Sequence, residues 1–368
     1  MRKKGLSRRQ FISAALTGMG GFVGVGAWVA SRERSSPLFF SSALTDQNSA
    51  VIYAVNAQGD GQFSLPVDQR CHAMAHPPHS PDTVFFARRP GTQAVVVTSA
   101  GERRLTFHTR ENRHFYGHGC FSADGQWLFT SENDYVNGQG VIGVRDATRQ
   151  YRQVDEWSSH GVGPHQLLLL GHEVVVANGG LQTHPQSGRQ WLNVDSMESS
   201  LVYLDSQTGE LLKRFESPAQ HASIRHLAIY RDQVVVLMQY KGSQKDALMP
   251  LVGIQSGNEA IDVITPEREA DWWQMRQYTA SAAVDVSSGL AAVTCPYGHV
   301  VTFWNLPQRR FIKSLPIRQA RGVVVHQGEF IVTGGDGRWH RIAIDRLEAD
   351  SAPRRGGLKW DNHLGLIA

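Results

Sequence analysis

The sequence has few cysteines, and their spacing excludes two kinds of redox centre. Three of the 368 residues are cysteines, Cys71, Cys120 and Cys295. Because no Cys-x-x-Cys motif is present, a covalently attached c-type haem and a thioredoxin-like dithiol are both excluded. The count is odd and no pairing follows from the spacing, so one disulfide beside one free thiol stays open.

A surplus of basic residues is also missing once the first segment is set aside. The chain has 37 lysine and arginine residues against 33 acidic ones, a formal net charge of +4. Residues 1–30 contain five of the basic residues and no acid, which leaves 32 basic residues against 33 acidic ones. Without a basic excess, electrostatic binding to a phosphate backbone is excluded, and nucleic acid is not an expected partner.

Common catalytic motifs are absent as well. The sequence contains no Gly-x-Ser-x-Gly elbow and no phosphate-binding P-loop. The dipeptide His172-Glu173 begins like a His-Glu-x-x-His zinc motif, but Val176 stands where the second histidine belongs. Motifs therefore assign no enzymatic activity, and whether the chain is an enzyme stays open here.

Residues 1–30 are typical of an export signal. A basic segment precedes an apolar, glycine-rich stretch from Phe11 to Ala30, and Ser7–Ile12 (SRRQFI) fits the twin-arginine pattern. We predict a twin-arginine signal peptide over residues 1–30, a single domain over 31–368 and a periplasmic location. An uncleaved stretch of about 20 apolar residues is long enough to span a bilayer. The alternative is therefore an inner-membrane anchor facing the periplasm, with membrane contact through the signal alone.

Short β-branched and aromatic runs recur after residue 36, separated by turn pairs such as Asp124-Gly125, and no long helical period appears. Similar units begin before residue 66 and near residues 70, 116, 163, 224, 281 and 321, about 40 to 61 residues apart. Units of this length are typical of propeller blades, which stack around an axis because one blade cannot bury both faces. We predict an all-β, seven-bladed propeller of the YVTN/WD40-like type, with six or eight blades as alternatives. Strands from both termini would close it, the second from Leu358–Ala368.

Four histidines occupy similar positions at the starts of these units: His72, His118, His165 and His226. The inner strands of a propeller converge on its channel, so matching positions form a ring at the channel mouth. Neutral imidazoles in such a ring would bind a transition metal, and we predict iron or copper. Further ligands, or partners of the ligands, would come from His76, His114, His184 and His363. A structural role stays open, because Gly-His pairs such as Gly117-His118 make hydrogen bonds within the blades of WD-type propellers.

Other polar side chains near these histidines are candidates for binding a ligand. Arg70 and Arg225 stand beside two of the histidines, and guanidinium groups bind carboxylates through paired hydrogen bonds. Predicted face loops carry more polar residues, although such a loop can equally cap the propeller with its own hydrogen bonds. The candidate ligand-binding residues are Arg70, Arg225, His114, Glu132, Asn178, His184, Arg189 and Asn193.

Several longer segments resemble one known family. In chain order they are Ala87–Gly91, Arg113–Gly119, Gly163–His165, Val176–Gly180, Thr183–Pro185, Met197–Leu201 and Ser223–Leu227. Together they resemble the twin-arginine-exported bacterial proteins catalogued as domain of unknown function 1513, over roughly residues 70–335. The resemblance implies a periplasmic propeller of the YVTN/WD40-like kind. It also implies imelysin-like or di-haem periplasmic proteins as partners in iron acquisition, and it supplies no activity.

The leading hypothesis is a periplasmic propeller that binds iron, copper, a small ligand or a metal-containing partner at its channel mouth. One alternative is a metal-dependent enzyme of the lactonase or oxidase type, with Glu132 or His114 as general base. The other alternative is a protein-interaction scaffold whose histidines are structural.

Overall fold

Seven antiparallel sheets make up the part of the chain that the computed structural model describes, which is residues 38–188, 190–242, 248–351 and 358–367. The predicted signal peptide over residues 1–30 lies outside these ranges. No helix among the described residues has both the length and the apolar character needed to cross a membrane.

Blades 2 to 7 are each one sheet of four strands that pair in chain order. Blade 2 contains β4 (Cys71–Ala75), β5 (Thr83–Ala87), β6 (Gln93–Val97) and β7 (Arg103–His108). Blade 3 contains β8 (Arg113–Phe121), β9 (Trp127–Asp134), β10 (Gln139–Asp146) and β11 (Arg152–Ser158). Blade 4 contains β12 (Pro164–Leu170), β13 (Glu173–Asn178), β14 (Ser200–Asp205) and β15 (Leu211–Glu216).

The remaining three of these blades follow the same plan. Blade 5 contains β16 (Ala222–Tyr230), β17 (Gln233–Tyr240), β18 (Val252–Ser256) and β19 (Asp262–Ile264). Blade 6 contains β20 (Ala282–Asp285), β21 (Leu290–Cys295), β22 (Val300–Asn305) and β23 (Arg310–Pro316). Blade 7 contains β24 (Ala320–His326), β25 (Glu329–Gly334), β26 (Trp339–Ala343) and β27 (Glu348–Ser351).

Blade 1 is built from both ends of the described chain. Its strands are β1 (Leu38–Thr45), β2 (Ala50–Val55), β3 (Gly61–Pro66), β28 (Leu358–Trp360) and β29 (Gly365–Ile367). Both β28 and β29 pair antiparallel with β1, with Ala43 opposite Trp360 and Phe39 opposite Leu366. The seven-bladed all-β fold and its closure are therefore confirmed, and six predicted unit starts lie within three residues of the first strand of a blade.

The helices among the described residues are short and lie in connections. Three 3₁₀-helices span Ala147–Arg149, Pro185–Ser187 and Val194–Ser196, and the α-helix α1 (Glu269–Gln274) lies between blades 5 and 6. The last two 3₁₀-helices belong to the long loop of blade 4, where the break in strand spacing predicts loops or short helices.

The hydrophobic core lies between the blades. Seven clusters of buried side chains fill the seven interfaces. Phe86 of blade 2 packs on Phe115 of blade 3, and Phe39 of blade 1 packs edge-on against Trp339 of blade 7 at 5.0 Å. Because each blade buries apolar surface against two neighbours, the sheets hold each other in a closed ring.

Trp360 tests how much the closing strand contributes to stability. Its side chain is 1% exposed and contacts Tyr53 of β2 edge-on, whereas Trp273 is 42% exposed. We expect Trp360→Ala to lower the free energy of unfolding by about 3–5 kcal/mol, and Trp273→Ala to change it by less than about 0.5 kcal/mol. Urea denaturation followed by circular dichroism measures both, and equal effects would contradict a stabilising role of β28.

Candidate metal centre

Five histidines from five consecutive blades meet at the mouth of the central channel. The inner strands of blades 2 to 5 each contain a bulge at which the pairing register shifts. Bulges redirect side chains, and these carry or border His72, His118, His165 and His226. The fifth histidine, His363, lies between β28 and β29 of blade 1.

The five imidazoles form a compact cluster, which we call the histidine ring, and the His118 ring centroid lies within 5.5 Å of the other four. Around it, neighbouring ring centroids lie 4.7 Å (His363 to His72), 5.0 Å (His72 to His118), 4.7 Å (His118 to His165), 4.8 Å (His165 to His226) and 4.9 Å (His226 to His363) apart. The potential ligand nitrogens of His72, His118 and His165 all lie within 4.8 Å of one another, and so do those of His118, His226 and His363. Since histidine nitrogens bind zinc at about 2.0–2.1 Å, ligands of one ion lie roughly 3–4 Å apart. Small side-chain movements would therefore bring either triad onto one ion.

Gly117 allows two members of the ring to approach each other. Its φ is +98°, in a region that L side chains rarely adopt, and a Cβ there would lie 2.9 Å from the Cβ and Cδ2 atoms of His72. The Tyr-Gly-His segment therefore needs glycine so that β8 can pass close to His72 and deliver His118 beside it.

Hydrogen bonds fix the protonated nitrogen in two of the imidazoles. His72 donates from Nδ1 to the Asp361 carboxylate at 3.0 Å. His226 Nδ1 lies 3.3 Å from Gln166 Oε1, and that amide is oriented by the main chain of Leu227, whose N–H donates to Oε1 and whose carbonyl accepts from Nε2. Because a neutral imidazole carries one proton, Nε2 of His72 and of His226 keeps a lone pair for a ligand.

Three further ring nitrogens are buried without a hydrogen-bond partner: His118 Nε2, His165 Nδ1 and His363 Nε2. Burial, followed by the charges of neighbouring histidines and arginines, holds the pKa of His118, His165, His226 and His363 well below the usual 6.5. Burial also lowers the pKa of His72, although Asp361 opposes the change. The ring is therefore neutral at pH 7, which is the form of histidine that binds metals.

Asp361 fixes the position of His72 in the histidine ring through their hydrogen bond. Its carboxylate is fully buried and receives hydrogen bonds from Arg70 Nη2 at 2.6 Å and from the main-chain N–H of Asn362 at 2.7 Å, with Arg88 at 3.7 Å. Burial alone would raise the pKa of this carboxyl, but the hydrogen bond to His72 and the charges of Arg88 and Arg70 hold it far below its usual range. A carboxylate in this position orients a ligating imidazole and increases its basicity.

The histidine ring separates two spaces. On one side, a cavity of about 300 Å3 is lined by three ring members, His72, His165 and His226, together with residues of the face loops. On the other side, the channel between the inner strands encloses about 500 Å3 and is lined by His118 and His363. An ion in the ring would be reachable from the loop face.

The family of this chain follows from its sequence match. Residues 65–367 match the family model described as "Protein of unknown function (DUF1513)". The chain belongs to this family. The predicted resemblance is thereby confirmed, and no curated protein matches this DUF1513 sequence significantly.

Solved structures similar to this DUF1513 chain share little sequence with it. Hydrazine synthase of Kuenenia stuttgartiensis superposes with a TM-score of 0.60 at 14% identity, over 85% of this chain and 92% of that chain. AztD of Citrobacter koseri gives 0.56 at 10% identity, over 90% and 98%. BamB of Moraxella catarrhalis gives 0.51 at 10% identity, over 86% and 84%. At these identities the likeness shows the propeller fold alone.

Two of the three arginines among the candidate ligand-binding residues lie next to the ring. Arg70 forms an ion pair with Asp361. Arg225 lines the loop-face cavity beside His165 and His226. Arg189 lies outside the described residues. Sequence reasoning did not identify Asp361, Arg88 or Asn362; the signal available was that Asp361 precedes His363 by two residues in the segment predicted to close the propeller.

The other candidates make hydrogen bonds elsewhere in the DUF1513 fold. His114 donates from Nδ1 to the Phe115 carbonyl and accepts at Nε2 from Asn133, so both of its nitrogens are bonded. The buried carboxylate of Glu132 is paired with Arg145 at 2.8 Å and accepts from Thr130. The structure therefore gives both proposed general bases partners within blade 3.

Three candidate ligand-binding residues of blade 4 make hydrogen bonds in or next to its long loop. Asn178 donates to the Ser159 carbonyl, and His184 Nδ1 accepts from the Gln186 N–H at the start of a 3₁₀-helix. Asn193 accepts from the Gln182 N–H and donates to the Gly180 carbonyl. These contacts match the interpretation of the loop as a cap held by its own hydrogen bonds.

The three cysteines are free thiols in this structure. Cys71, which neighbours His72, is buried, and burial raises the pKa of its thiol to about 12. It is therefore protonated at neutral pH, and the ring nitrogens are the more available metal ligands.

Acid should destabilise the metal-free protein through the histidine ring. Because burial lowers the ring pKa values below the 6.5 of a free imidazole, the unfolded chain binds more protons than the folded chain as the pH falls below that value. The stability supplied by neutral histidines is complete above that pH and is lost below it. We expect the free energy of unfolding to decrease by up to about 1.4 kcal/mol per pH unit for each such histidine.

Urea denaturation between about pH 7.5 and about pH 5.5 measures this loss. A variant with His118→Asn, His165→Asn and His363→Asn should lose less stability over this interval than the wild type. The exposed histidines of a His79→Asn/His108→Asn/His172→Asn variant provide the matched control, which should behave like the wild type. Equal pH dependence in all three proteins would show that the ring histidines titrate normally.

Proposed function

We propose that this chain is a metal-binding propeller whose histidine ring holds one copper or iron ion, or a small group containing one, at the channel mouth. The observation that carries the proposal is the set of three buried imidazole nitrogens without hydrogen-bond partners, His118 Nε2, His165 Nδ1 and His363 Nε2. Buried polar atoms in native proteins nearly always have a partner. An ion held by His72, His118 and His165 would give a partner to the first two of these nitrogens, and an ion held by His118, His226 and His363 would give one to the first and the third.

The chemistry of the donors supports a transition metal. Neutral imidazole suits copper, iron, nickel and zinc, whereas magnesium and calcium prefer carboxylate and carbonyl oxygen. The nearest acid, Asp361, is engaged with His72 and Arg70, so it acts through His72 as an orienting partner. Among divalent ions at nitrogen sites, copper binds more tightly than iron, nickel or zinc.

If the ring histidines had a purely structural role, we would expect hydrogen bonds to occupy both nitrogens of each imidazole. His114 shows that pattern, because a carbonyl and an amide satisfy both of its nitrogens within blade 3. The histidine ring instead places five imidazoles against each other in a buried space. Five neutral side chains that mainly face one another are better explained by a shared ligand than by hydrogen bonding.

The cellular setting is part of the proposal. The twin-arginine pattern of Ser7–Ile12 supports a periplasmic protein, with an inner-membrane anchor as the alternative. Imelysin-like or di-haem proteins of iron acquisition are the proposed partners, on the strength of the family resemblance. The ring would then store or deliver the metal that such partners use.

Metal titration of the purified protein tests this function. Protein prepared without an affinity-metal column is loaded with Cu(II), Fe(II) or Zn(II), and the bound metal is counted by elemental analysis. We expect about one ion per chain in the wild type and at least about a hundredfold lower affinity in the His118→Asn/His165→Asn/His363→Asn variant. The His79→Asn/His108→Asn/His172→Asn variant should bind like the wild type.

X-ray absorption on the loaded wild type gives a second readout that does not depend on variants. It should show a nitrogen-only coordination sphere with the scattering pattern of imidazole. The function would be refuted if folded wild-type protein bound none of the three metals, or if the ring and control variants bound metal equally well.

Asp361→Asn tests the orienting carboxylate. An asparagine oxygen can still accept from His72 Nδ1, but the negative charge that raises the basicity of His72 is lost. We expect metal affinity to fall about 10–100-fold, while Asp124→Asn in an exposed turn leaves it unchanged. Isothermal titration calorimetry measures both, and unchanged affinity in Asp361→Asn would mean that His72 is not a ligand.

A further inference from the structure

Two cavities join on the loop side of the histidine ring. The first, of about 300 Å3, includes three ring histidines in its wall, and the second has a volume of about 390 Å3. They share four lining residues, Arg88, Tyr278, Tyr297 and Asn362. Volumes of this size accommodate small organic molecules.

The walls of these cavities are strongly basic, and we call their joint opening the basic mouth. Its lining cations are Arg70, Arg88, Arg89, Arg225, Lys241, Arg276 and Arg321. Among the described lining residues of both cavities there is no aspartate or glutamate. The buried carboxylate of Asp361 lies against Arg70 and Arg88 and balances one of the four positive charges of Arg70, Arg88, Arg276 and Arg321.

A metal ion in the histidine ring increases this imbalance. The ring is neutral, so a divalent ion there adds two positive charges close to Arg70, Arg88, Arg276 and Arg321, which already outnumber the described carboxylate beside them. Accumulated charge of one sign in a partly buried cavity is unfavourable, and it strongly attracts a counter-ion. An anion in the basic mouth would stabilise the loaded ring.

The ring is within reach of a ligand in the basic mouth. His72, His165 and His226 form part of the cavity wall, with Arg225 beside the last two. A carboxylate placed there can contact the ion through one oxygen while arginines hold its other groups. Arginine is suited to this task because its planar donors match carboxylate oxygens.

Aromatic side chains indicate an organic anion. Trp191, Tyr240, Tyr278 and Tyr297 line the first cavity, and the rings of Tyr278 and Tyr297 lie 4.2 Å apart. Trp191 is 40% exposed and Tyr297 is 65% exposed at the rim. Large exposed aromatic surfaces offer contact to a carbon skeleton, which an inorganic ion lacks.

We propose that the basic mouth binds a small organic polycarboxylate, and that one of its carboxylates also contacts the ion in the histidine ring. This inference rests on the metal site proposed above and adds the chemical class of the second ligand. The metal would accordingly arrive or leave as an anionic chelate.

Calorimetric titration with citrate, which carries three carboxylates, tests the proposal. Tricarballylate, which lacks the hydroxyl group of citrate, and inorganic phosphate are titrated in parallel, with metal-free and metal-loaded protein. We expect both tricarboxylates to bind the metal-free wild type, more weakly at high ionic strength, and at least about tenfold more tightly once the metal is present. Phosphate should bind at least about tenfold more weakly than citrate.

Charge-removing variants locate the anion. Arg88→Gln/Arg276→Gln should reduce citrate binding to the metal-free protein by at least about tenfold. Arg110→Gln/Arg152→Gln removes the same charge from exposed residues away from the basic mouth and should bind like the wild type. If the first variant does not fold, Arg276→Gln alone provides the test, because this side chain is exposed and its loss spares the core.

Failure of this inference is distinct from failure of the metal site, because the bound metal is counted in the same samples. Citrate that binds neither metal-free nor metal-loaded protein would overturn the inference even if the ring holds its ion. Equal citrate affinity of the Arg88→Gln/Arg276→Gln variant and the wild type would also overturn the inference. Phosphate binding equal to that of citrate would overturn the assignment to a polycarboxylate, and equal citrate affinity with and without metal would overturn the shared contact.

Discussion

Pairing of β1 with β28 and β29 joins the two ends of the described chain in one blade, and three of the four residues between the closing strands belong to the candidate site. Asp361 fixes the orientation of His72, Asn362 lines both cavities of the basic mouth, and His363 completes the histidine ring. The closure of the propeller and the composition of the site therefore depend on the same backbone hydrogen bonds.

The electrostatics of the channel mouth form two layers. One layer consists of the neutral imidazoles, and the other consists of arginine and lysine side chains that line the cavities on the loop side, from loops and from the strands β16 and β24. The positive layer disfavours protonation of the histidines, which supports the neutral form that burial already favours. Within the described residues of this region, Asp361 is the one carboxylate between the layers, and Arg70 and Arg88 share its charge.

Much of the fold and part of the site could be predicted from the sequence because a propeller repeats its geometry. The strand spacing gives the blades, and His72, His118, His165 and His226 recur at one position of that repeat, so their convergence follows from the fold. The contribution of Asp361 depends on tertiary contacts between segments almost 300 residues apart, and no repeat marks it. The basic mouth likewise combines Arg225 and Arg321 from strands with cations from connecting loops of different lengths, and the strand pattern does not determine the paths of those loops.

The closing strands also set the order in which the site can form during synthesis. A ribosome makes four of the five imidazoles before residue 230, yet the partner of His72 and the last imidazole emerge more than 130 residues later. A nascent chain of that length therefore contains four of the five ring histidines but lacks Asp361, the carboxylate that bonds to His72. The complete site exists only once the segment that carries β28 and β29 has paired with β1, so tight metal loading would mark chains in which blade 1 has closed.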